Sequence, residues 1–401
     1  MWNNIKKKTG AVAVLVTLIF VSTNIAAITI FNASADALKV SVYDGAINVA
    51  SRSILSEYDS KLFEDYGIFA YSGSENNIDK KCIRYLKANT SRIFKPLNAK
   101  NIDILIDNKE YSLIEVDNLA PQLIEAGKVN IITQPKKVKN ENPVLPSKTV
   151  NNKAIISGLP SGNKSNISFD FSSFDMDGVI GERLTESALI NQYIDTVFKS
   201  RFSDYPNRNS FFNYEKEYIL SGKMSELGSL EYVKRQIYLL RLPLNTEHIL
   251  TDGRKMAVIE KYIAALPTTA DPIEAAALVA IWAASETEND INRLLNGDKV
   301  AFIKNDRQWA LSLEQAILNI FLRKIIEPND SEGYDYDDYL MALMYVKNRE
   351  TKLLRIMDLI QINMKSTYRG DFLIKEHYVG FNIIGTIDGR EYQYKHSYYE
   401  I

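Results

Sequence analysis

The longest apolar stretch of the chain lies near its start, where Lys6, Lys7 and Lys8 precede an uncharged run over 10–35. Its most apolar part, 11–31, holds about 20 residues, enough to cross a bilayer core as a helix. The lysine triplet places the N-terminus on the cytoplasmic side by the positive-inside bias. Asn24 falls inside the run, a polar group that a partner helix or a bond within the membrane would satisfy. The competing reading is a cleaved secretory signal, because Ala33-Ser34-Ala35 has the small-x-small form of a cleavage site. Signal cores are typically about 7 to 15 residues, shorter than this run. Both readings export the rest of the chain.

Helical spacing continues past the apolar run, since Ala37, Val40, Asp44, Ile47, Ala50, Ile54 and Tyr58 recur every three or four positions. One helix over 11–62 would be roughly 75 Å long, half of it a stalk or a bundling surface for further copies. Two helices broken near Asn32 fit the pattern as well.

Ile102, Ile104 and Ile106 then alternate before Asp107-Asn108, with a second alternating run after them, which predicts a hairpin over 101–116. The stretch 134–168 is dense in Pro, Lys, Asn and Ser, with Pro135, Pro143, Pro146 and Pro160, and reads as an exposed linker. Apolar spacing predicts helices over 183–199, 227–241, 254–266, 309–326, 336–347 and 351–365. The best-marked helix starts at Asp271, with Pro272 at its first position and Glu274 completing a capping box. Its apolar run 275–284 is too short for a second span and predicts the central buried helix of a domain. Gly297 is a C-cap candidate. Near the end, Val379, Phe381 and Ile383 alternate, Asp388-Gly389 forms a turn, and Tyr392, Tyr394, His396 and Tyr398 alternate back. This hairpin is expected to share a sheet with the segment near Asp107.

The expected fold is therefore α+β, mostly α. It comprises a cytoplasmic tail 1–9, a transmembrane helix 10–35, a long helix plus β-hairpin region 36–133, a flexible linker 134–174, an α-helical extracytoplasmic domain 175–370 and a C-terminal β-hairpin 371–401. With 401 residues, 46% of them hydrophobic, the chain can bury a core and is long enough for two or so folding units. Lys and Arg number 48 against 50 Asp and Glu, a net charge of −2 that lacks the basic footprint nucleic-acid binding requires. The single cysteine, Cys82, excludes an intramolecular disulfide, and no CxxC pair exists to hold zinc.

Catalytic signals are sparse. Only His248, His377 and His396 offer an imidazole base, and no GxSxG elbow, Walker loop or GxGxxG is present. His377 and His396 fall on the two strands of the expected terminal hairpin, but Glu376 points to the opposite strand face and leaves a metal site short of ligands. Asp330, Glu332, Asp335, Asp337 and Asp338 supply calcium-type oxygens without the EF-hand order, and read as a loop capping the next helix. Glu286, Glu288 and Asp290 have the residue types of paired glycosidase carboxylates, although a charged helix end explains them more simply. No catalytic, metal or cofactor-binding residue, and no cofactor, is expected.

Several segments together resemble a known family. They are the basic-then-Gly10 entry to the span, Leu62-Phe63-Glu64-Asp65-Tyr66-Gly67-Ile68-Phe69, Leu159-Pro160-Ser161 and Glu217-Tyr218-Ile219-Leu220-Ser221-Gly222. Trp282-Ala283-Ala284-Ser285-Glu286 with Asp290, Asp335-Tyr336-Asp337-Asp338-Tyr339-Leu340 and Arg355-Ile356-Met357-Asp358-Leu359-Ile360-Gln361 continue the series. In this order they resemble the large TadE/TadG-like membrane proteins of low-GC Gram-positive bacteria, a family of unknown function found with tight-adherence (Flp) pilus genes. The resemblance implies a non-enzymatic, single-pass, pseudopilin-like envelope component, whose partners are the lipid bilayer and pilin-like or pilus-assembly membrane proteins. It implies no catalytic residue. Prepilins carry Glu five residues after the scissile Gly, whereas Leu15 holds that place after Gly10, which favours permanent anchoring. The rival classes are a tethered binding or sensory module and an exported hydrolase.

Overall fold

The computed structural model describes residues 2–73, 78–93, 102–133, 138–140, 142–162, 182–205, 208–265, 272–387 and 389–399. In chain order come α1 (Trp2–Leu55), α2 (Ser60–Tyr66), α3 (Ile78–Ile93), the strand Ile102–Asp107, α4 (Val116–Thr133), α5 (Lys153–Ile156) and α6 (Glu182–Val197). Then follow α7 (Glu215–Ser221), α8 (Glu226–Thr251), α9 (Gly253–Ala264), α10 (Pro272–Asn296), α11 (Leu313–Leu322), α12 (Tyr336–Val346) and α13 (Arg349–Thr367). The hairpin of Gly380–Ile387 and Arg390–Ser397 comes last, so the fold is mostly helical with small antiparallel sheets. Two compact units emerge: Met1–Asp59, Ala70–Ser112 and Tyr378–Ile401 form one, Ser60–Phe69 and Leu113–His377 the other.

In the first unit, α1 is one uninterrupted helix of 54 residues, with no break near Asn32. At this length it spans roughly 80 Å. It stops at Leu55, short of the expected Leu62, where Ser56 and Glu57 turn back onto Arg52 and Ile54 and the Asp59 amide donates to Ala70 O. From Val12 to Ser34 every side chain is exposed, and the helix is long and apolar enough to cross a membrane. Its polar groups are satisfied within the helix: Thr17 donates to Ala13 O, Ser22 and Thr23 to Ile19 O, Asn24 to Phe20 O and Thr29 to Ile25 O. Such back-bonding removes the penalty of a bare donor in hydrocarbon.

The second half of α1 is a core element. Tyr43, Ala46, Ile47, Ala50 and Ile54 are buried at helical spacing, whereas Ala37, at the head of the expected stripe, is exposed. Ile78, Cys82 and Leu86 of α3 and the inner face of a sheet, Ile104, Phe381, Ile383, Ile387 and Tyr392, complete this core. Burying each large aliphatic or aromatic side chain here contributes roughly 1.5 to 3 kcal/mol.

The sheet runs Ile102–Asp107, Gly380–Ile387, Arg390–Ser397, all antiparallel, with Ile106 opposite Ile383 and Ile383 opposite Tyr394. The segment near Asp107 thus shares a sheet with the C-terminal hairpin, as expected. The hairpin over 101–116 does not form. After Asp107 the chain makes a 3-10 turn, Lys109–Tyr111, and Tyr111 O accepts from the Val379 amide. Gly380–Ile387 occupies the place beside Ile102–Asp107 that a local partner would have taken. The outer edge of Ile102–Asp107 is blunted by Asp79, whose carboxylate accepts from the Ile106 amide at 2.8 Å. Gly389 takes the positive φ of a hairpin turn, while Asp388 lies outside the described residues.

In the helical unit, burial of α10 begins at Val279, and its first two turns are largely exposed. Ile273, Ala276, Ala277 and Ala280 are exposed, which corrects the expectation of a helix buried throughout, and Asp271 lies outside the described residues. The apolar run 275–284 is rich in alanine, and its small side chains leave one face of the helix without a covering layer. Val279, Trp282 and Ala283 pack with Ile249, Ile259, Trp309, Leu311, Leu313 and Ala316. Gly297 terminates α10 at φ +99°, as expected of a C-cap.

The stretch read as an exposed linker is, over 142–162, a strap tied to the helical unit. The Val144 amide donates to Arg201 O, the Val150 amide donates to Met224 O, and Val150 is buried. Buried Glu226 accepts from the amides of Ser147, Lys148 and Asn213. Backbone-to-side-chain ties of this kind leave no periodicity in sequence. Residues 163–174 of the expected linker lie outside the described residues.

Three of the family-like segments, 159–161, 217–222 and 355–361, meet at the contact of α7 with α13. Arg355 donates to the carbonyls of Ile219 and Leu220, while Asp358 accepts from the Tyr218 hydroxyl and the Ser161 amide. Gly222 closes α7 in the left-handed region at φ 68°, its amide on Tyr218 O at 2.7 Å. A Cβ there would sit 2.8 Å from Arg355 Nη2. Gly222→Ala is therefore expected to cost about 1 to 3 kcal/mol, from left-handed strain plus displacement of a buried guanidinium. A urea unfolding midpoint equal to that of the parent protein would contradict this.

Candidate functional site

A buried polar cluster that includes sequence-flagged residues lies between α8, α10 and the loop joining α10 to α11. Arg241, Asn245 and His248 recur at i, i+4, i+7 on α8, and Glu286 and Asp290 at i, i+4 on α10, so each set shares one helix face. Lys304 enters from the loop. Its ammonium hydrogen-bonds Glu286 Oε1 and lies 2.5 Å from Asp290 Oδ1. Arg241 bonds Asp290 Oδ2 through Nε and Nη2 at 3.1 and 2.9 Å, and caps the carbonyls of Ala301 and Phe302. Asn245 bridges Arg241, Thr287 and Asp290. Glu286 further accepts from the amides of Ala310 and Leu311, both at 3.0 Å.

Two cations and two carboxylates, all buried, therefore neutralise one another. Burial pushes the Asp290 carboxyl up, but the Lys304 and Arg241 charges more than offset it and hold Asp290 below the usual carboxylate range. Every oxygen of Glu286 and Asp290 is engaged. The arrangement clamps the loop 301–311 against α8 and α10. It does not resemble an acid and base flanking a substrate gap. Glu288, the third flagged carboxylate, is exposed on another face of α10.

His248 stacks on Trp309 with ring centroids 4.9 Å apart. Its donor atoms, with those of Asp252 and Asp306, lie within 4.8 Å of one another, a spacing compatible with a metal ion. That space already holds a cation: Lys255 Nζ is 3.1 Å from His248 Nε2, 2.8 Å from Asp252 and 3.2 Å from Asp306. Burial and the Lys255 charge lower the His248 pKa, so a neutral ring accepts from Lys255. The hydrogen bond from Lys255 holds the Asp252 carboxyl well below the usual range. These residues fit a lysine-centred ionic knot better than a metal centre.

The remaining flagged residues are structural. His377 precedes the hairpin, which begins at Gly380, and is buried with Nδ1 on Leu373 O and Nε2 facing Arg369. His396 alone lies in a hairpin strand, opposite Phe381. The expected placement of both histidines on the hairpin is thus corrected, because His377 falls in a separate two-residue strand, His377–Tyr378, that ends before the hairpin strand begins at Gly380. Asp335 and Asp338 form a reciprocal capping box on α12, the helix-capping role expected of the acidic stretch. Asp337 departs from its neighbours: it is buried and hydrogen-bonded to Ser200.

Beside Asp337 lies Glu217, fully buried, accepting from the Arg201 amide at 3.0 Å. Burial, reinforced by Asp337, pushes its carboxyl up to about 8. In a neighbouring pair Arg208 bonds Glu215, which also accepts from Asn363 and the Lys199 amide, while Arg208 reaches the Tyr66 hydroxyl. Sequence reasoning missed Arg241, Lys304, Lys255 and Arg208. For Arg241 and Lys255 the available signal was a charge on an otherwise apolar helix face; Lys304 and Arg208 lie in loops and carry no such signal.

Neither a curated protein nor a solved structure matches the chain. Residues 121–389, the α-rich body together with the first strand of the terminal hairpin, match a family described as "Family of unknown function (DUF5702)". The buried networks built from this region are thus set within a family framework, and the chain belongs to DUF5702, a family of unknown function.

Proposed function

We propose that the protein is a non-enzymatic, membrane-anchored structural or assembly component of a tight-adherence type pilus system, pseudopilin-like in its N-terminal helix. One observation carries the reading: α1 is continuous, apolar and uncovered over 12–34, yet forms the core of a folded unit from Tyr43 to Ile54. A helix that is apolar all round and covered by nothing in its own chain is stable in lipid or against other apolar helices. The lysines before it favour a cytoplasmic N-terminus and an extracytoplasmic body. The self-satisfied Thr, Ser and Asn side chains remove the main polar cost of insertion. The ordered family-like segments supply the pilus association, and the partners are the bilayer and pilin-like or assembly proteins.

Fractionation and genetics test the reading separately. The full-length chain should stay in the membrane pellet after alkaline carbonate washing and be digested by protease added outside the cell. Release into the soluble fraction would remove the anchor. Deletion of the gene should reduce piliation, and unchanged piliation would remove the pilus role while leaving the anchor intact.

A further inference from the structure

A groove of about 550 Å³ opens between the N-terminal half of α8 and the C-terminal half of α10. That volume falls within the roughly 300 to 1,000 Å³ typical of ligand sites. Its lining includes the half-buried rings of Tyr232 and Tyr238 and the side chains of Lys223, Arg235, Glu288 and Asn292. Within the described residues, no hydrogen bond or ion pair engages these four side chains or the two tyrosine hydroxyls. The contrast with the cluster around Lys304, on the same two helices, is direct. There every charge is committed, whereas here two cations and one carboxylate are left over. Lys234, also in the lining, is already paired with Glu231 at 2.9 Å.

The lining restricts the occupant. Ile291 is its one aliphatic side chain and is almost fully buried, so the groove offers no apolar hole for the anchoring side chains of a peptide. Tyrosine faces accept the apolar C–H faces of flat, hydroxyl-rich rings, on Tyr232 at the face away from the Lys347 ammonium, which lies 5.9 Å from its centroid, and tyrosine hydroxyls, a free amide and a carboxylate satisfy the sugar hydroxyls. Tyr232 and Tyr238 are six positions apart on an oblique i, i+3, i+6 ridge of α8 with Arg235 between them, roughly 9 Å along the axis and about 120° apart around it, longer than a single sugar ring. Arg235 presents a planar donor fork matched to a carboxylate, and Lys223 adds a second positive charge.

We propose that this groove binds a carboxylate-bearing oligosaccharide laid along α8, with sugar faces on Tyr232 and Tyr238, a carboxylate on Arg235 and hydroxyls on Glu288 and Asn292. The site stands independently of the anchor and pilus reading. Burial and the Glu288 charge raise the Tyr238 pKa, which keeps that hydroxyl protonated as a donor.

The test titrates the full-length protein in detergent micelles, by calorimetry, with hexagalacturonate, uncharged maltohexaose and an oligoglutamate peptide of matched charge. Hexagalacturonate should bind saturably, and at least about tenfold more tightly than either of the others. Arg235→Gln and Tyr238→Ala, both surface changes, should each weaken it by about tenfold or more, the loss of one charged hydrogen-bond pair or one ring platform. Unaltered thermal midpoints would show both variants folded, and Glu288→Gln provides a third variant if either is not. The proposal is overturned by absent saturation with hexagalacturonate, by equal or tighter binding of the peptide, or by affinity unchanged in the folded variants.

Discussion

Lys304→Met is expected to destabilise the helical unit by about 3 to 5 kcal/mol, the cost of stranding buried carboxylates without their cation. The lysine ammonium is the shared partner of Glu286 and Asp290, and all three side chains are essentially inaccessible to water. Removing it leaves Arg241 to neutralise two carboxylates, and only Asp290 is within its reach. The expected readout is a large drop in the urea midpoint with little change in slope. Adding Glu286→Gln restores the balance of one cation to one carboxylate and should recover most of the loss, a coupling that a double-mutant cycle isolates. A single variant as stable as the parent would show that the network does not hold the loop 301–311 in place.

Glu217→Gln is expected to change how stability depends on pH. In the folded protein burial raises this carboxyl to about 8. In the unfolded chain it titrates near about 4.3. The folded state therefore holds the proton more tightly. The contribution of Glu217 is complete below about pH 4.3 and is lost progressively as pH rises through about 8, a total on the order of a few kcal/mol. Glutamine cannot ionise, so the variant should match the parent near pH 4 and become increasingly more stable than it up to about pH 8, above which the difference levels off. Parallel stability profiles for the two proteins, measured by denaturant unfolding, would refute the assignment.

The legible parts of the fold were those where one face of one element carries the signal. Ile47, Ala50 and Ile54 on α1, the alternation Ile102, Ile104, Ile106, and the capping residues of α12 are local patterns, and local physics realises them. Which strand pairs with Ile102–Asp107 is a long-range matter, and a nearby alternating run suggested the wrong partner. The strap over 142–162 escaped for a different reason: its stability comes from amide bonds to Glu226 and Asp358, which leave no hydrophobic period. In the charged clusters, Glu286 and Asp290 could be flagged as a helix-spaced pair, but Lys304 lies in a loop and Arg241 on another helix. Only the tertiary fold brings them within bonding distance, and their closeness turns a suspected reaction centre into an internal clamp.

The strand Ile102–Asp107 finds its neighbour in Gly380–Ile387, after the whole helical unit has intervened in the chain. During synthesis the core around 43–54 thus waits, two strands short, until the hairpin of Gly380–Ile387 and Arg390–Ser397 has been made, with Ile104 uncovered in the interval. The same topology makes this hairpin a keystone: clipping its two strands would open the core that Tyr43, Ile47 and Ile54 form more than 300 positions earlier.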